Sequence, residues 1–323
     1  MTIFPTLDPE LAPAVSMIPS LDLADVNSAR ATLDSLVGTA LSDLSYDGVD
    51  VREISAPGLA GAPDVTIRFF TPQNSHNPLP VLVWFHGGGF VLGTAISSDP
   101  FCVDVTRELG FAVANVEYRL APETPYPGPI DDGYAALTYV HEHAEELQID
   151  PTRIAVGGQS AGGGIAAGIV LRARDEGVVP VAFQFLEIPE LDDRLATTSM
   201  KTFVDTPMWH RPNAILSWKY YLGDSYSGPD DECVSIYAAP ARATDLRRLP
   251  PTYLSTMELD PLRDEGIDYA VRLLGAGVSV ELHSFPGTFH GSALLATAEV
   301  SKRGHAEALG ALRRNLRVPL AIF

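Results

Sequence analysis

The eight residues from Gly157 to Gly164 constrain this chain more than any other stretch. They sit directly behind Ile154-Ala155-Val156, which reads as a buried strand, and they open a helix of small residues, Ile165 to Arg174. Within them Gly158-Gln159-Ser160-Ala161-Gly162 fits Gly-x-Ser-x-Gly. That turn from strand to helix is so sharp that side chains on either side of the serine would strike neighbouring backbone. The expected result is a serine hydroxyl held up at the edge of a sheet.

The rest of the chain supplies such a sheet. Strand-like runs fall near Val49–Ser55, Val65–Thr71, Val81–Phe85, Ala112–Glu117, Ile154–Gly157, Val181–Glu187, Thr252–Met257 and Val278–Ser284. Several are short and continuously apolar, as strands covered on both faces are. Helical patterns lie between them at Asp99–Leu109, Asp131–Leu147, Ser160–Glu176 and Asp264–Gly275, with a last one at Ser292–Leu316. This alternation predicts an α/β fold: a mostly parallel, eight-stranded sheet with helices on both faces. Two regions break the rhythm, 1–44 and 188–237, leaving 45–187 and 238–323 as the layered domain.

A second motif narrows the chemistry. The strand ending at Phe85 runs into His86-Gly87-Gly88-Gly89. In hydrolases with this loop, its bare backbone N–H groups and that of the residue after the nucleophile receive the oxyanion of a tetrahedral intermediate. The donors here would be Gly87, Gly88 and Ala161. A phosphate-binding loop is disfavoured, because no Gly-x-Gly-x-x-Gly helix start or Gly-Lys-Ser/Thr follows. His86 lies upstream of the serine, and its expected task is to hold the loop by a hydrogen bond.

An acid and a histidine must then follow in chain order. Thr252–Met257 ends in a cluster of acids, Glu258, Asp260, Asp264 and Glu265. Asp260 is best placed, just past the strand end and before the turn-favouring Pro261; Asp264 and Glu265 suit the first turn of the next helix. Of eight histidines, only His290 combines that chain order with a loop position, since His76, His141, His143, His210, His283 and His305 sit elsewhere. His290 would take the proton of Ser160, and the acid would fix the imidazole tautomer.

Together with Glu117-Tyr118-Arg119-Leu120-Ala121-Pro122-Glu123, Asp260-Pro261-Leu262-Arg263-Asp264-Glu265 and Phe289-His290-Gly291, these motifs resemble the hormone-sensitive-lipase-like (bacterial family IV) carboxylesterases of the α/β-hydrolase fold. The match runs from about Val49 to the C-terminus. Gln159 and the run Trp209 to Gly223 look most like bacterial heroin esterases, which hydrolyse acetyl esters. The resemblance implies Ser160 as nucleophile, Asp260 as acid and His290 as base, and a small helical cap made by 1–44 and 188–237. It also implies short-chain acyl esters, acetyl to about hexanoyl, as substrates, with acetylated alkaloids as candidates, and no metal or organic cofactor. Two positions depart from the family: Gln159 replaces Asp or Thr, and Ser292 replaces an aromatic residue.

Charge and cysteine content bound the partners. With 41 acidic against 22 basic residues, a net charge of −19 argues against nucleic acid and anionic lipid. Two cysteines are too few for a disulfide framework and read as reduced thiols. The N-terminus does not read as a signal peptide, and no apolar run is long enough to span a membrane. A cytoplasmic enzyme with a small-molecule ester substrate is expected, and an exposed edge strand such as Val278–Ser284 leaves room for a homodimer.

Other residues carry lesser expectations. Trp209 and Phe203 are candidate substrate contacts, although cap aromatics mostly serve burial. Glu187, with Glu190, Asp192 and Asp193, reads either as a solvated acidic edge or as a device for cationic alcohols, the former preferred. Arg119 and Glu123 are expected to brace a loop, and Asp131 and Asp132 to cap the following helix. The rival functions are an amidase or thioesterase on the same triad, and a non-catalytic ligand-binding module on the same fold.

Overall fold

The computed structural model describes residues 7–75 and 78–316. His76 and the first six residues of the expected cap lie outside them. In chain order the elements are α1 (Ala12–Val15), α2 (Val26–Leu41), β1 (Val49–Ala56), β2 (Val65–Pro72), β3 (Leu79–Phe85), α3 (Asp99–Leu109), β4 (Ala112–Glu117), α4 (Gly128–Glu142) and β5 (Ile149–Gln159). There follow α5 (Ala161–Glu176), β6 (Phe183–Glu187), α6 (Thr198–Thr202), α7 (Arg211–Leu222), β7 (Thr252–Leu259), α8 (Arg263–Gly275), β8 (Val280–Phe289) and α9 (Glu299–Asn315).

The eight strands form one sheet in the order β1-β2-β4-β3-β5-β6-β7-β8. From β4 through β8 every pairing is parallel, and only β2 runs against its neighbours. All seven residues of β3 are buried, which is why its sequence is apolar without alternation. One face packs on α3 and α9 through Trp84, Phe111, Phe183, Phe185 and Tyr253. The other packs on α4, α5 and α8 through Val83, Val156, Ile165, Leu254 and Tyr269. Full burial of a phenylalanine such as Phe185 contributes about 1.5–3 kcal/mol, so these layers hold the strand ends firmly.

Three local readings need correction. The strand before the elbow starts at Ile149, five residues before the apolar run, because the turn-like Asp150-Pro151-Thr152 is absorbed where the β3–β5 register shifts. The last helix does not run from Ser292: a single 3₁₀ turn, Ser292–Leu294, is followed by a break before α9. Leu295 and Ala298 in that break pack with Leu11, Leu259 and Phe289, and this packing overrides helix continuation. Asp131 and Asp132 do not cap α4, which already starts at Gly128. Asp132 instead binds Arg119, at 2.6 Å to the guanidinium and 2.9 Å to the backbone N–H, and Asp131 binds Arg172 at 2.8 Å.

The two irregular regions meet each other above the strand ends. Asn213 on α7 accepts from the Leu23 N–H at 3.2 Å and donates to the Leu21 carbonyl at 2.5 Å. Arg30 on α2 donates to the carbonyls of Val91 and Ala121 and pairs with Glu123 at 2.8 Å, so the loops after β3 and β4 are braced from the N-terminal segment. No described helix is long and apolar enough to cross a membrane.

Candidate active site

The elbow is built by β5 and α5. Ser160 takes φ 57° and ψ −123°, a backbone state that a non-glycine residue adopts only when its surroundings impose it. They do so here by close approach. A Cβ at Gly162 would lie 2.1 Å from the Phe85 carbonyl oxygen, and one at Gly158 would lie 2.2 Å from that of Gly162. The Ser160 N–H donates to the Glu187 carbonyl at 2.9 Å, which ties the turn to the end of β6.

Three residues distant in sequence converge on that turn. Ser160 Oγ lies 2.9 Å from His290 Nε2, and His290 Nδ1 lies 2.7 Å from Asp260 Oδ2. Asp260 Oδ1 accepts the Leu262 N–H at 2.9 Å. Asp260 follows β7 and His290 follows β8, so adjacent parallel strands deliver both to the same sheet edge. All three side chains are buried. With its Nδ1 hydrogen donated to the carboxylate, the imidazole presents a bare Nε2 to the hydroxyl, which is what general-base catalysis needs.

The neighbouring acids are committed elsewhere. Glu258 accepts the Gly287 N–H at 2.6 Å, Asp264 accepts that of Ser199 at 2.7 Å, and Glu265 accepts that of Leu191 at 2.7 Å. Among the acids after β7, only Asp260 meets the histidine.

The glycine loop lies against the elbow, with a Cβ built on Gly87 falling 3.3 Å from Ser160 Cβ. Gly88 has φ 130°, and a Cβ there would lie 2.1 Å from the Leu92 carbonyl oxygen, so only glycine fits. Among the described residues nothing accepts from the N–H groups of Gly87, Gly88 or Ala161. Three backbone donors on the glycine loop and the elbow are therefore left without an acceptor among the described residues. His86 is fully buried, and its Nδ1–H donates to the Gly87 carbonyl at 2.7 Å. Burial pushes its pKa down to about 4, which keeps it neutral. Tyr118, not singled out in the sequence, stacks on the His86 ring at 4.3 Å and donates to its carbonyl at 2.8 Å.

The lesser candidates separate. Trp209 is buried, with its ring 5.9 Å from that of His290, and its Cη2 is 2.4 Å from where a Gly89 Cβ would stand. It spans the gap between His290 and the glycine loop. Phe203 packs instead among Leu11, Leu259 and Phe289, under the Arg263 guanidinium at 5.5 Å, behind the strand ends that carry Asp260 and His290. Glu187 is half-buried and touches the elbow through its backbone; by strand alternation its carboxyl shares the face of Phe183 and Phe185.

The acidic group is not a solvated edge. Glu190, Asp192 and Asp193 are all buried; Asp192 holds Arg194 at 2.6 Å and Asp193 holds Arg242 at 2.6 Å. Charges already matched in this way do not draw a cationic alcohol, so the two aspartates are structural. Elsewhere, Glu281, His283 and Glu307 bring ligand atoms within 4.8 Å of one another on β8 and α9. Arg314 already neutralises Glu281 at 2.6 Å, and three ligands fall short of a closed tetrahedral zinc site.

Comparison with known proteins agrees with this geometry. Residues 82–294 match the model of a family described as having the alpha/beta hydrolase fold. A carboxylesterase of Mycobacterium tuberculosis, NlhH, is 40% identical over 321 residues, covering 97% of each chain. An esterase of the same organism, LipI, is 34% identical and covers 93% of each. A solved structure named bacterial heroin esterase superposes with a TM-score of 0.97 at 77% identity, over 98% of this chain and 100% of that one. The sheet, the elbow and these relatives leave one assignment: the chain belongs to the α/β-hydrolase family, in its hormone-sensitive-lipase-like branch of carboxylesterases.

Proposed function

We propose that this carboxylesterase hydrolyses short-chain acyl esters, acetyl to about hexanoyl, through an acyl-enzyme on Ser160. The observation that carries the reading is the unbroken chain of contacts from Ser160 Oγ to His290 Nε2 at 2.9 Å and from His290 Nδ1 to Asp260 Oδ2 at 2.7 Å. Ser160 attacks the ester carbonyl as His290 takes its proton. The oxyanion sits on the amides of Gly87, Gly88 and Ala161. His290 then protonates the departing alcohol, and a water activated by the same base releases the acid. These steps use side chains and backbone alone, with neither metal nor organic cofactor.

Trp209, packed between His290 and Gly89, serves as the substrate-facing wall, and its bulk favours short acyl groups. The regions 1–44 and 188–237 act together as the cap, as the hydrogen bonds of Asn213 to Leu21 and Leu23 suggest. A relative at 77% identity is named a heroin esterase, which makes acetylated alkaloids reasonable substrates. A panel of p-nitrophenyl esters should show kcat/KM highest at two to six acyl carbons and falling steeply beyond. Intact-mass analysis after rapid acid quench should find one acyl group, on Ser160. An acyl group on another residue, or preference for long chains, would overturn the reading.

A cytoplasmic location fits the free thiols of Cys102 and Cys233. A homodimer through β8 is also proposed, because that strand ends the sheet and exposes Leu282. Sedimentation should give twice the chain mass, and Leu282→Lys should yield the monomer. A wild-type monomer at micromolar concentration removes the proposal.

A further inference from the structure

Behind the glycine loop one hydroxyl stands between two acceptors. Ser217, on α7, is fully buried; its Oγ lies 3.0 Å from the Gly89 carbonyl oxygen and 3.1 Å from Glu190 Oε1. A serine hydroxyl owns one hydrogen. If that hydrogen goes to Gly89, the contact with Glu190 closes only when the carboxyl itself carries a proton and donates it to Ser217. If Glu190 were ionised, Ser217 would turn to the carboxylate. The Gly89 carbonyl would then lose the one partner it has among the described residues.

The surroundings decide between these states. Glu190 is fully buried, and its Oε2 has no partner among the described residues. Among the described residues, the titratable groups that interact electrostatically with it are Asp260, Glu265, Tyr118 and Tyr221, and none is cationic. A charge there would be buried, unpaired and beside the acid of the triad, an arrangement that proteins avoid by protonation. Burial accordingly pushes the carboxyl up to about 8. The residue is also fixed to the elbow, since its N–H donates to the Ser160 carbonyl at 3.0 Å.

We infer that Glu190 is a protonated carboxylic acid at neutral pH whose O–H, relayed through Ser217 to the Gly89 carbonyl, positions the oxyanion loop against cap helix α7. Glu190 is thus a positioning residue: it touches no substrate and acts through the loop. Its ionisation breaks the relay and adds a negative charge near the place where the oxyanion forms. The inference rests on the proposed role of the glycine loop.

The test measures kcat, KM and thermal unfolding from pH 5 to 10 for the full-length wild type and for Glu190→Gln, Glu190→Ala and Ser217→Ala. Wild-type kcat should fall above about pH 8 while KM changes little. Glu190→Gln keeps a hydrogen to donate but cannot ionise, so this alkaline limb should vanish. Glu190→Ala and Ser217→Ala should each lose about tenfold or more in kcat at pH 7, with Gln recovering most of the loss relative to Ala. Stability has a definite sign as well. A raised carboxyl pKa in the folded state contributes stability fully present below the ordinary carboxylate range and lost as pH rises toward about 8. Glu190→Gln should therefore gain in Tm relative to the wild type between pH 5 and 8.

A Gln variant whose alkaline limb matches the wild type, or a Ser217→Ala enzyme with full kcat, would overturn the relay. The Tm comparison needs no turnover, so it decides the protonation state even if the esterase reading fails.

Discussion

Replacing Ser160 by alanine should lower kcat by about 10⁵-fold or more while leaving the fold intact. The attacking oxygen is gone, and the residual rate reflects only what the free amides of Gly87, Gly88 and Ala161 can do for a water molecule. Structure should survive, because the elbow is held by backbone contacts: Ser160 N–H to Glu187, and Gly164 N–H and Glu190 N–H to the Ser160 carbonyl. Alanine suffers the same positive φ that serine already accepts, so no new strain enters. The lost Oγ–Nε2 hydrogen bond removes about 1 kcal/mol, which in a chain of this length is a shift of about 1–2 °C in Tm. Steady-state kinetics with an acetyl ester and a thermal scan check both halves. A variant retaining more than about a hundredth of wild-type kcat would mean that another nucleophile carries the reaction.

How far the sequence already spoke depends on the kind of signal. Buried parallel strands are continuously apolar, so β3, β4 and the end of β5 could be read directly, and their order along the chain implied the sheet. Ser160, Asp260 and His290 were legible because each follows a strand and the connectivity carries them to one edge. Charge was misread where pairing is long-range. An acidic run looks solvated, yet Asp193 is neutralised by Arg242, 49 positions away, and nothing local announces that partner. Ser217 carries no signal of its own within the Trp209 to Gly223 run, and only the fold sets it against Gly89. Phe203 and Trp209 looked alike in sequence, six residues apart. Packing alone sends one to a small cluster behind the strand ends and the other to the side of the His290 ring.

Asp260→Asn should be nearly as damaging as loss of the nucleophile, with kcat falling about 10⁴-fold at neutral pH in a well-folded protein. The reason lies in a hydrogen bond outside the triad. The Leu262 N–H points at Oδ1 at 2.9 Å and needs an acceptor, so the new amide must place its oxygen there. Its NH₂ then faces His290 Nδ1, 2.7 Å away in the wild type. A donor facing Nδ1 requires that nitrogen to be bare, which moves the ring hydrogen to Nε2. In that tautomer His290 points a hydrogen at Ser160 Oγ and cannot accept its proton. The base is present and correctly placed, but in the wrong state. Glu258→Gln, two residues earlier, should keep most of its kcat, because that carboxylate serves the Gly287 N–H and not the imidazole. Measuring both variants against the wild type separates the acid of the triad from its neighbour. If Asp260→Asn kept full activity while Glu258→Gln lost it, the acid would have to be reassigned.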